Sequence, residues 1–399
     1  MNPLFLNAIP ILEKIENAGY EAYFVGGAVR DQLLNREIAD VDIASSATPE
    51  EIKQIFPNTA DVGIEHGTVL VLYKGSGYEI TTFRTESEYK DFRRPDEVMF
   101  IRSLEEDLKR RDFTMNAMAM NKKGNLIDPF NGQLAISQKR IETVGKAEER
   151  FAEDALRMMR AIRFVSQLSF SLDPSCFHAL EKMTSLLQHI AVERKTAEFE
   201  KLLLGKNRIN AIDLLCKANI DHYLPRLSEV SARITVVTQF QCTDLNLEEM
   251  WALLLYALKI KSDDIEVFLR SWKLPIKRIR QIASILSWIQ LRFKQSWGSS
   301  TLYEAGKETM IHTERVYNVI QKQEVSQSIN HWVNQFESLP IKSRSDLAVT
   351  GKDLMLMLNR PSGPWIKECL TMIEKAILEG GLENKRERIR ERVLTCNLK

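Results

Sequence analysis

Tyr23-Phe24-Val25-Gly26-Gly27-Ala28-Val29-Arg30-Asp31-Gln32-Leu33-Leu34, followed shortly by Asp40-Val41-Asp42-Ile43, is the stretch whose reading decides the fold. Tyr23–Val25 reads as a strand that ends in two glycines, which let a backbone turn sharply and approach a ligand closely. Their N–H groups can face a triphosphate, with Arg30 near enough to pair with its charge. In Val41-Asp42-Ile43 apolar residues alternate with an acid, as in a half-buried strand. Side chains two apart on a strand share a face, so Asp40 and Asp42 can converge on one metal cluster. Mg²⁺ takes hard oxygen ligands and is usually shared between one or two carboxylates and substrate phosphates. Two such ions can clamp an in-line displacement on phosphorus. An isolated Asp-x-Asp would read as solvated turn chemistry; the preceding Gly-Gly argues for the site.

Together these residues resemble the nucleotidyltransferase superfamily, and within it the branch of tRNA nucleotidyltransferases and bacterial poly(A) polymerases. Further motifs follow in that branch's order. Arg110-Arg111-Asp112-Phe113-Thr114-Met115-Asn116-Ala117 is similar to its second motif and Asp128-Pro129-Phe130-Asn131-Gly132 to its next. Glu153-Asp154-Ala155-Leu156-Arg157-Met158-Met159-Arg160-Ala161-Ile162-Arg163-Phe164 is similar to its nucleotide-selecting helix. The rest resembles the class II CCA-adding enzymes of Gram-positive bacteria, with Val349-Thr350-Gly351-Lys352-Asp353-Leu354 a weaker match. The resemblance implies template-independent addition of CCA to the 3′ end of tRNA from CTP and ATP, with Mg²⁺ as cofactor and pyrophosphate released. It also implies a homodimer.

The implied fold class is α+β: a nucleotidyltransferase head with a mixed sheet and helices, then an all-α neck, body and tail. The head is expected over 1–135, the neck with its nucleotide-selecting helix over 136–205, the body over 206–305, and a tRNA-binding tail over 306–399. The sequence supports this division. A helix pattern over 4–19 precedes strand patterns at 20–25, 40–44, 68–73 and 78–83. Thr48-Pro49-Glu50-Glu51 opens a helix with a capping box and proline at the first position. After about residue 135 strand signals mostly vanish and apolar residues recur at helical spacing. Gly298-Ser299-Ser300 is the clearest loop cue near the second helical break.

A chain of 399 residues suggests more than one domain, and 44% hydrophobic residues is ordinary for a globular protein. No run of eighteen apolar residues predicts a membrane span, and Met1–Leu6 does not read as a secretory signal. Five cysteines scattered without zinc spacing fit reduced thiols and a cytoplasmic location. The net charge of +1 hides local basic clusters. One is Lys273, Lys277, Arg278, Arg280, Arg292 and Lys294; the other is Lys385, Arg386, Arg388, Arg390 and Arg392. Each reads as a phosphate-binding surface or as a helix face with internal ion pairs.

Fold analogy makes Glu79, in Tyr78-Glu79-Ile80, the third acid: general base or metal-organising group for a ribose 3′-hydroxyl. Asp40 and Asp42 are the expected metal ligands. Gly27, Arg30 and Arg111 are expected at the nucleotide, Arg111 as a triphosphate contact by resemblance. The helix expected from about 148 to 168 buries Phe151, Ala155, Met158, Met159, Ile162 and Val165 on one face. Asp154 and Arg157, three apart, read either as a surface ion pair or as a base reader. A carboxylate only accepts and a guanidinium only donates. Cytosine and adenine each present an amino donor beside a ring-nitrogen acceptor, whereas uracil and guanine present a carbonyl beside an N–H. Asp154 and Arg157 therefore fit C and A and mismatch U and G. Arg160 and Arg163 join the nucleotide site by resemblance, although three-residue steps drift about 60° around a helix and carry Arg163 almost opposite Asp154.

The charged segment Glu86–Asp96 reads as a mobile loop, which by resemblance favours complete CCA synthesis over addition of CC alone. Partial CC or A addition and poly(A) polymerase are the close alternatives; the latter's usual strongly basic C-terminal extension does not appear. An aminoglycoside-type nucleotidyltransferase would not need the helical half. A non-enzymatic RNA-binding relative would not need Asp40, Asp42, Arg111, Asp154 and Arg157 intact.

Overall fold

The computed structural model describes residues 1–63, 67–86, 98–230 and 234–395. Most of the expected loop at 86–96 lies outside the described residues. The chain divides into two compact units, Met1–Thr235 and Val236–Lys399.

The first unit is α+β. Its strands are β1 (Ala22–Val25), β2 (Asp42–Ser45), β3 (Thr59–Asp61), β4 (Thr68–Tyr73), β5 (Ser76–Thr82), β6 (Arg84–Glu86), β7 (Val98–Phe100), β8 (Ala119–Met120) and β9 (Leu126–Ile127). Seven of them form one sheet in the order β3-β4-β5-β2-β1-β8-β9. Only β2 and β5 pair in parallel, with Ile43 opposite Ile80; the other pairs are antiparallel, so the sheet is mixed as expected. β6 and β7 form a separate antiparallel pair.

Alternation along the central strands sends Phe24, Ile43 and Ile80 into one apolar cluster and Val25 and Ala44 into another. The first cluster is completed by α1 (Pro3–Asn17), whose Phe5, Ala8, Ile11, Leu12 and Ile15 recur at helical spacing and are fully buried. Asn2 caps that helix through the Leu4 N–H, with Pro3 at the first position. Truncating Phe24 to Ala would cost about 3–5 kcal/mol in this core. The remaining head helices are α2 (Gly27–Leu33), α3 (Pro49–Ile55), α4 (Leu104–Lys109) and α5 (Gly132–Ser137). The capping box read at Thr48–Glu51 is present.

Helices then dominate: α6 (Ala147–Glu153), α7 (Leu156–Leu168), α8 (Pro174–Met183), α9 (Val192–Leu203) and α10 (Arg208–Lys217). A two-residue parallel pairing of Arg140–Ile141 with Ser171–Leu172 interrupts them. The single helix expected over 148–168 is two helices, because Asp154 leaves helical geometry (φ −135°, ψ 103°) and its side chain accepts the Leu156 N–H at 3.0 Å. An Asp that bonds the backbone two residues ahead competes with the helix ladder. The six apolar residues predicted to share a face are nonetheless all buried.

The second unit is helical among its described residues. Trp251 and Trp272 meet edge to face, centroids 5.0 Å apart, in its interior. Glu314, fully buried, accepts hydrogen bonds from Arg292 Nε (2.6 Å), Trp297 Nε1 (2.7 Å) and Ser328 Oγ (2.6 Å). Gly306, at φ 74°, kinks the helix Ser299–Gln321 just past the Gly298-Ser299-Ser300 cue. The four described cysteines are free thiols.

Candidate active site

The register of β2 against β5 builds the first part of the site. Ile43 faces Ile80 across a parallel pair, so Asp42 and Glu79 stand side by side on the same face of the sheet. β2 begins at Asp42, later than expected, and Asp40 sits in the irregular segment before it. Asp40, Asp42 and Glu79 are all exposed to solvent. Although water reaches Asp42, desolvation by the surrounding protein pushes its carboxyl above the usual range, and the charges of Asp40 and Glu79 add to this. Arg111 pulls in the opposite direction. The structure thus brings two other predicted acids, Asp40 and Glu79, and one predicted arginine, Arg111, within electrostatic reach of Asp42.

Among the described residues no group of three or more His, Cys, Asp or Glu is placed to hold a metal ion by itself. Carboxylates left open to solvent, with neither nitrogen nor sulfur donors, suit a hard cation that shares its coordination with phosphate oxygens. The donor chemistry therefore fits a divalent ion of the Mg²⁺ kind.

The glycine turn forms the lip of this site. Gly26 has φ 72°, a conformation L side chains avoid. A Cβ there would also lie 3.2 Å from Arg111 Nη1 and 3.7 Å from Asp42 Oδ2. Gly27 starts α2, and Arg30 lies one turn on. Arg30 is buried: it donates to Asp31 at 2.9 and 3.0 Å and to Asn116 Oδ1 at 2.7 Å. Asn116 in turn donates to Asp112 Oδ1 at 3.0 Å, and Arg160 Nε donates to Asp112 Oδ2 at 2.7 Å. Burial alone would raise the Asp112 pKa, but Arg160 and the Asn116 hydrogen bond hold it far below the ordinary carboxylate range.

Arg160 and Arg163 both turn toward Phe164, with guanidinium-to-ring distances of 5.7 and 4.3 Å, and Arg30 approaches the same ring at 5.2 Å. Arg163 is buried against Glu198 of α9 at 3.1 Å. Its pKa is pushed down to about 10, by burial first and then by Arg160. Arg163 and Asp154 have different partners, Glu198 and Arg194.

The expected base-reading pair is adjacent but not bonded together in the way an i,i+3 ion pair would be. Asp154 Oδ2 accepts from Arg194 of α9 at 2.9 Å. Arg157 pairs with Glu153, and its Nη2 donates to the Arg110 carbonyl at 3.0 Å. The break at Asp154 explains the change: outside a continuous helix the two no longer share a surface row. Sequence reasoning passed over Asp112, Asn116, Arg194 and Glu198. The first two stand inside a quoted motif and could have been singled out as its hydrogen-bonding residues. Arg194 and Glu198 act across 40 and 35 residues, a separation that no local pattern reports.

Of the basic cluster near residue 280, Lys273, Lys277, Arg280 and Lys294 are exposed. Arg278 pairs with Glu248 at 2.9 Å, and Arg292 is committed to Glu314 and to the rings of Tyr317 and Trp332. In the later cluster Lys385, Arg386 and Arg388 pair with Glu383, Asp353 and Glu391.

Three family models match the chain. The Poly A polymerase head domain covers residues 22–142, the probable RNA and SrmB-binding site of polymerase A covers 169–230, and the putative tRNA nucleotidyltransferase domain 2 covers 245–393. The CCA-adding enzyme of Geobacillus sp. (strain WCH70) is 48% identical over 400 residues, spanning 100% of this chain and 98% of the relative. That of Listeria monocytogenes serotype 4b (strain CLIP80459) is 50% identical over 392 residues, spanning 98% of each. The crystal structure of the Bacillus stearothermophilus CCA-adding enzyme in complex with CTP superposes with a TM-score of 0.91 at 44% identity, covering 100% of this chain and 98% of that one.

Proposed function

This chain belongs to the family of CCA-adding enzymes, and on that premise we propose how its residues divide the work. It is a tRNA nucleotidyltransferase that adds C, C and A to the 3′ end of tRNA from CTP and ATP without a nucleic-acid template, releasing pyrophosphate. The transfer is metal-dependent. The observation that carries the assignment of roles is the parallel register that sets Asp42 beside Glu79, below the Gly26 turn and within the field of Arg111.

In this reading Asp40 and Asp42 hold the metal, and Mg²⁺ is the ion we assign. When bound, it neutralises the triphosphate and favours ionisation of the attacking 3′-hydroxyl. Glu79 stands where it can accept that hydroxyl's proton or order the Asp pair. The Gly26-Gly27 turn lets the backbone approach the triphosphate, and Arg111 pairs with it. The network Arg30–Asn116–Asp112–Arg160 holds α2, the Arg111 segment and α7 in one arrangement, so the acids and the base reader keep a fixed separation.

Asp154 and Arg157 read the base edge. Arg194 orients the Asp154 carboxylate, and Glu153 with the Arg110 carbonyl orients Arg157. An acceptor and a donor so fixed match cytosine and adenine and leave uracil and guanine with unpaired groups. Exposed Lys273, Lys277 and Arg280 belong to the tRNA surface we assign to the helical half. The head, neck, body and tail limits at 135, 205 and 305 remain proposals, as do a homodimer and a cytoplasmic location; no helix among the described residues is long and apolar enough to cross a membrane.

The test is single-nucleotide mapping of products on tRNA lacking its 3′ end. CTP alone should give products ending in CC, and CTP with ATP should give CCA. A product that stops at CC with both nucleotides present would reassign the enzyme to CC addition; a long A tract would make it a poly(A) polymerase.

A further inference from the structure

Asp107, on α4, is a buried carboxylate beside the site, 1% exposed, and neither the metal site nor the base reader includes it. Its Oδ1 accepts from Arg110 Nε and Nη2 at 3.0 and 2.8 Å and from the Arg84 backbone N–H at 3.3 Å. Its Oδ2 accepts from Arg111 Nη2 at 3.2 Å. Burial alone would raise its pKa, but Arg111 and then Arg110 hold it below the ordinary range, so the group stays charged.

The partners of Asp107 point into the two halves of the nucleotide site. Arg111 spends Nη2 on Asp107 and presents Nη1 at the Gly26 lip, 3.2 Å from where a Cβ on Gly26 would stand. Arg110, held by the same carboxylate, offers its carbonyl to Arg157 Nη2 at 3.0 Å. The Arg84 N–H ties in the strand that follows β5, whose Glu79 faces Asp42. A guanidinium on a flexible stem, released from its anchor, would swing toward the nearest anionic group. One such group within its field is Asp42, whose carboxyl already feels Arg111.

We propose that Asp107 is a positioning residue for nucleotide binding: it fixes Arg111 toward the triphosphate and away from the metal-site acids, and through Arg110 it steadies Arg157. The proposal rests on the functional reading above. Asp107→Asn preserves size but removes the carboxylate charge that Arg110 and Arg111 share. The lost anchor is a charge-assisted hydrogen bond, whose typical worth corresponds to about a tenfold or greater rise in KM for both CTP and ATP. The effect falls on KM more than on kcat, because Arg111 engages the triphosphate already in the ground state.

The experiment is a double-mutant cycle of Asp107→Asn with Arg111→Met, read by CTP and ATP kinetics and by equilibrium CTP binding in EDTA. Asp107→Asn should weaken CTP in both measurements, Asp107→Glu should recover part of the loss, and Asp107→Asn should add little in the Arg111→Met background. Unchanged KM in a folded Asp107→Asn enzyme would overturn the proposal, as would full additivity with Arg111→Met. A fall in kcat and thermal midpoint alone would also overturn it, since that marks a purely structural ion pair. If Asp107→Asn does not fold, Asp107→Glu carries the same cycle with the same criteria. Failure of the functional reading looks different: wild-type enzyme would then add no CMP to tRNA.

Discussion

Asp154→Asn is the substitution whose consequence is best worked from the structure. It keeps the side chain's size and its Oδ1, which accepts the Leu156 N–H at 3.0 Å, so the break between α6 and α7 should persist. It replaces Oδ2, which accepts from Arg194 at 2.9 Å, by an amide N–H₂ that faces the same donor. The Asp154 and Arg194 side chains are 18% and 30% exposed, so the ion pair contributes no more than about 1 kcal/mol after solvent screening. The thermal midpoint should therefore fall by only a few degrees. The substrate effect is larger. An amino donor on cytosine or adenine now meets a donor instead of an acceptor, at a cost of about 1–3 kcal/mol, or about 5- to 150-fold in kcat/KM. A carbonyl on uracil or guanine gains a donor and should lose less or improve. Single-nucleotide incorporation of each of the four nucleotides into one tRNA acceptor measures this directly. The CTP-to-UTP ratio should narrow by at least tenfold, roughly the value of one reversed hydrogen bond. An equal loss for all four nucleotides would refute base reading by Asp154 and reduce it to a structural partner of Arg194.

Three further outcomes follow from the helical unit. Replacing Lys273, Lys277 and Arg280 by Ala should weaken tRNA binding and flatten its salt dependence by about one unit of slope for each phosphate no longer neutralised, with KM for CTP unchanged; equal salt slopes would move the RNA surface elsewhere. Glu314→Gln leaves the half-buried Arg292 without its buried carboxylate partner and should destabilise this unit by about 2–3 kcal/mol in urea, followed by Trp297 fluorescence; a change below about 1 kcal/mol would show the network to be dispensable. His312 Nδ1 donates to fully buried Glu249 at 2.8 Å, and that hydrogen bond raises its pKa from 6.5. Its contribution to stability is therefore complete below the unfolded value and is lost as pH rises through the higher folded value. Urea midpoints of wild type should fall relative to His312→Gln as pH rises above about 6.5; parallel curves would contradict the assignment.

Asp40, Asp42 and the glycine turn were legible in the sequence because they are near neighbours along the chain, and period-two alternation around Asp42 and Ile43 sets the strand face. Glu79 came from fold analogy, since its place beside Asp42 depends on the parallel pairing of β2 with β5. The apolar stripe running from α6 into α7 was legible for the same reason, and all six of its named residues are buried. The break at Asp154 was not, because helical periodicity of the apolar residues continues across it while one side chain redirects the backbone. Arg194, Glu198 and Asp107 escaped for a different reason. Each matters through a partner, and two of those partnerships join residues 35 or more positions apart. The basic cluster near residue 280 misled in part, since Arg292 turns inward to Glu314 and two aromatic rings.

The assigned chemistry depends on the acids beside the Gly26 turn. Single-turnover transfer of CMP to tRNA lacking its 3′ end, with saturating CTP and Mg²⁺, should be measured for wild type and Asp42→Ala alongside their thermal melts. The expected result is a loss of about a thousandfold or more in transfer rate, since a charge-stabilising group is removed from the transition state, with the melt little changed because Asp42 is exposed. Transfer by Asp42→Ala within about tenfold of wild type, a deficit of only about 1.4 kcal/mol in the barrier, would contradict it.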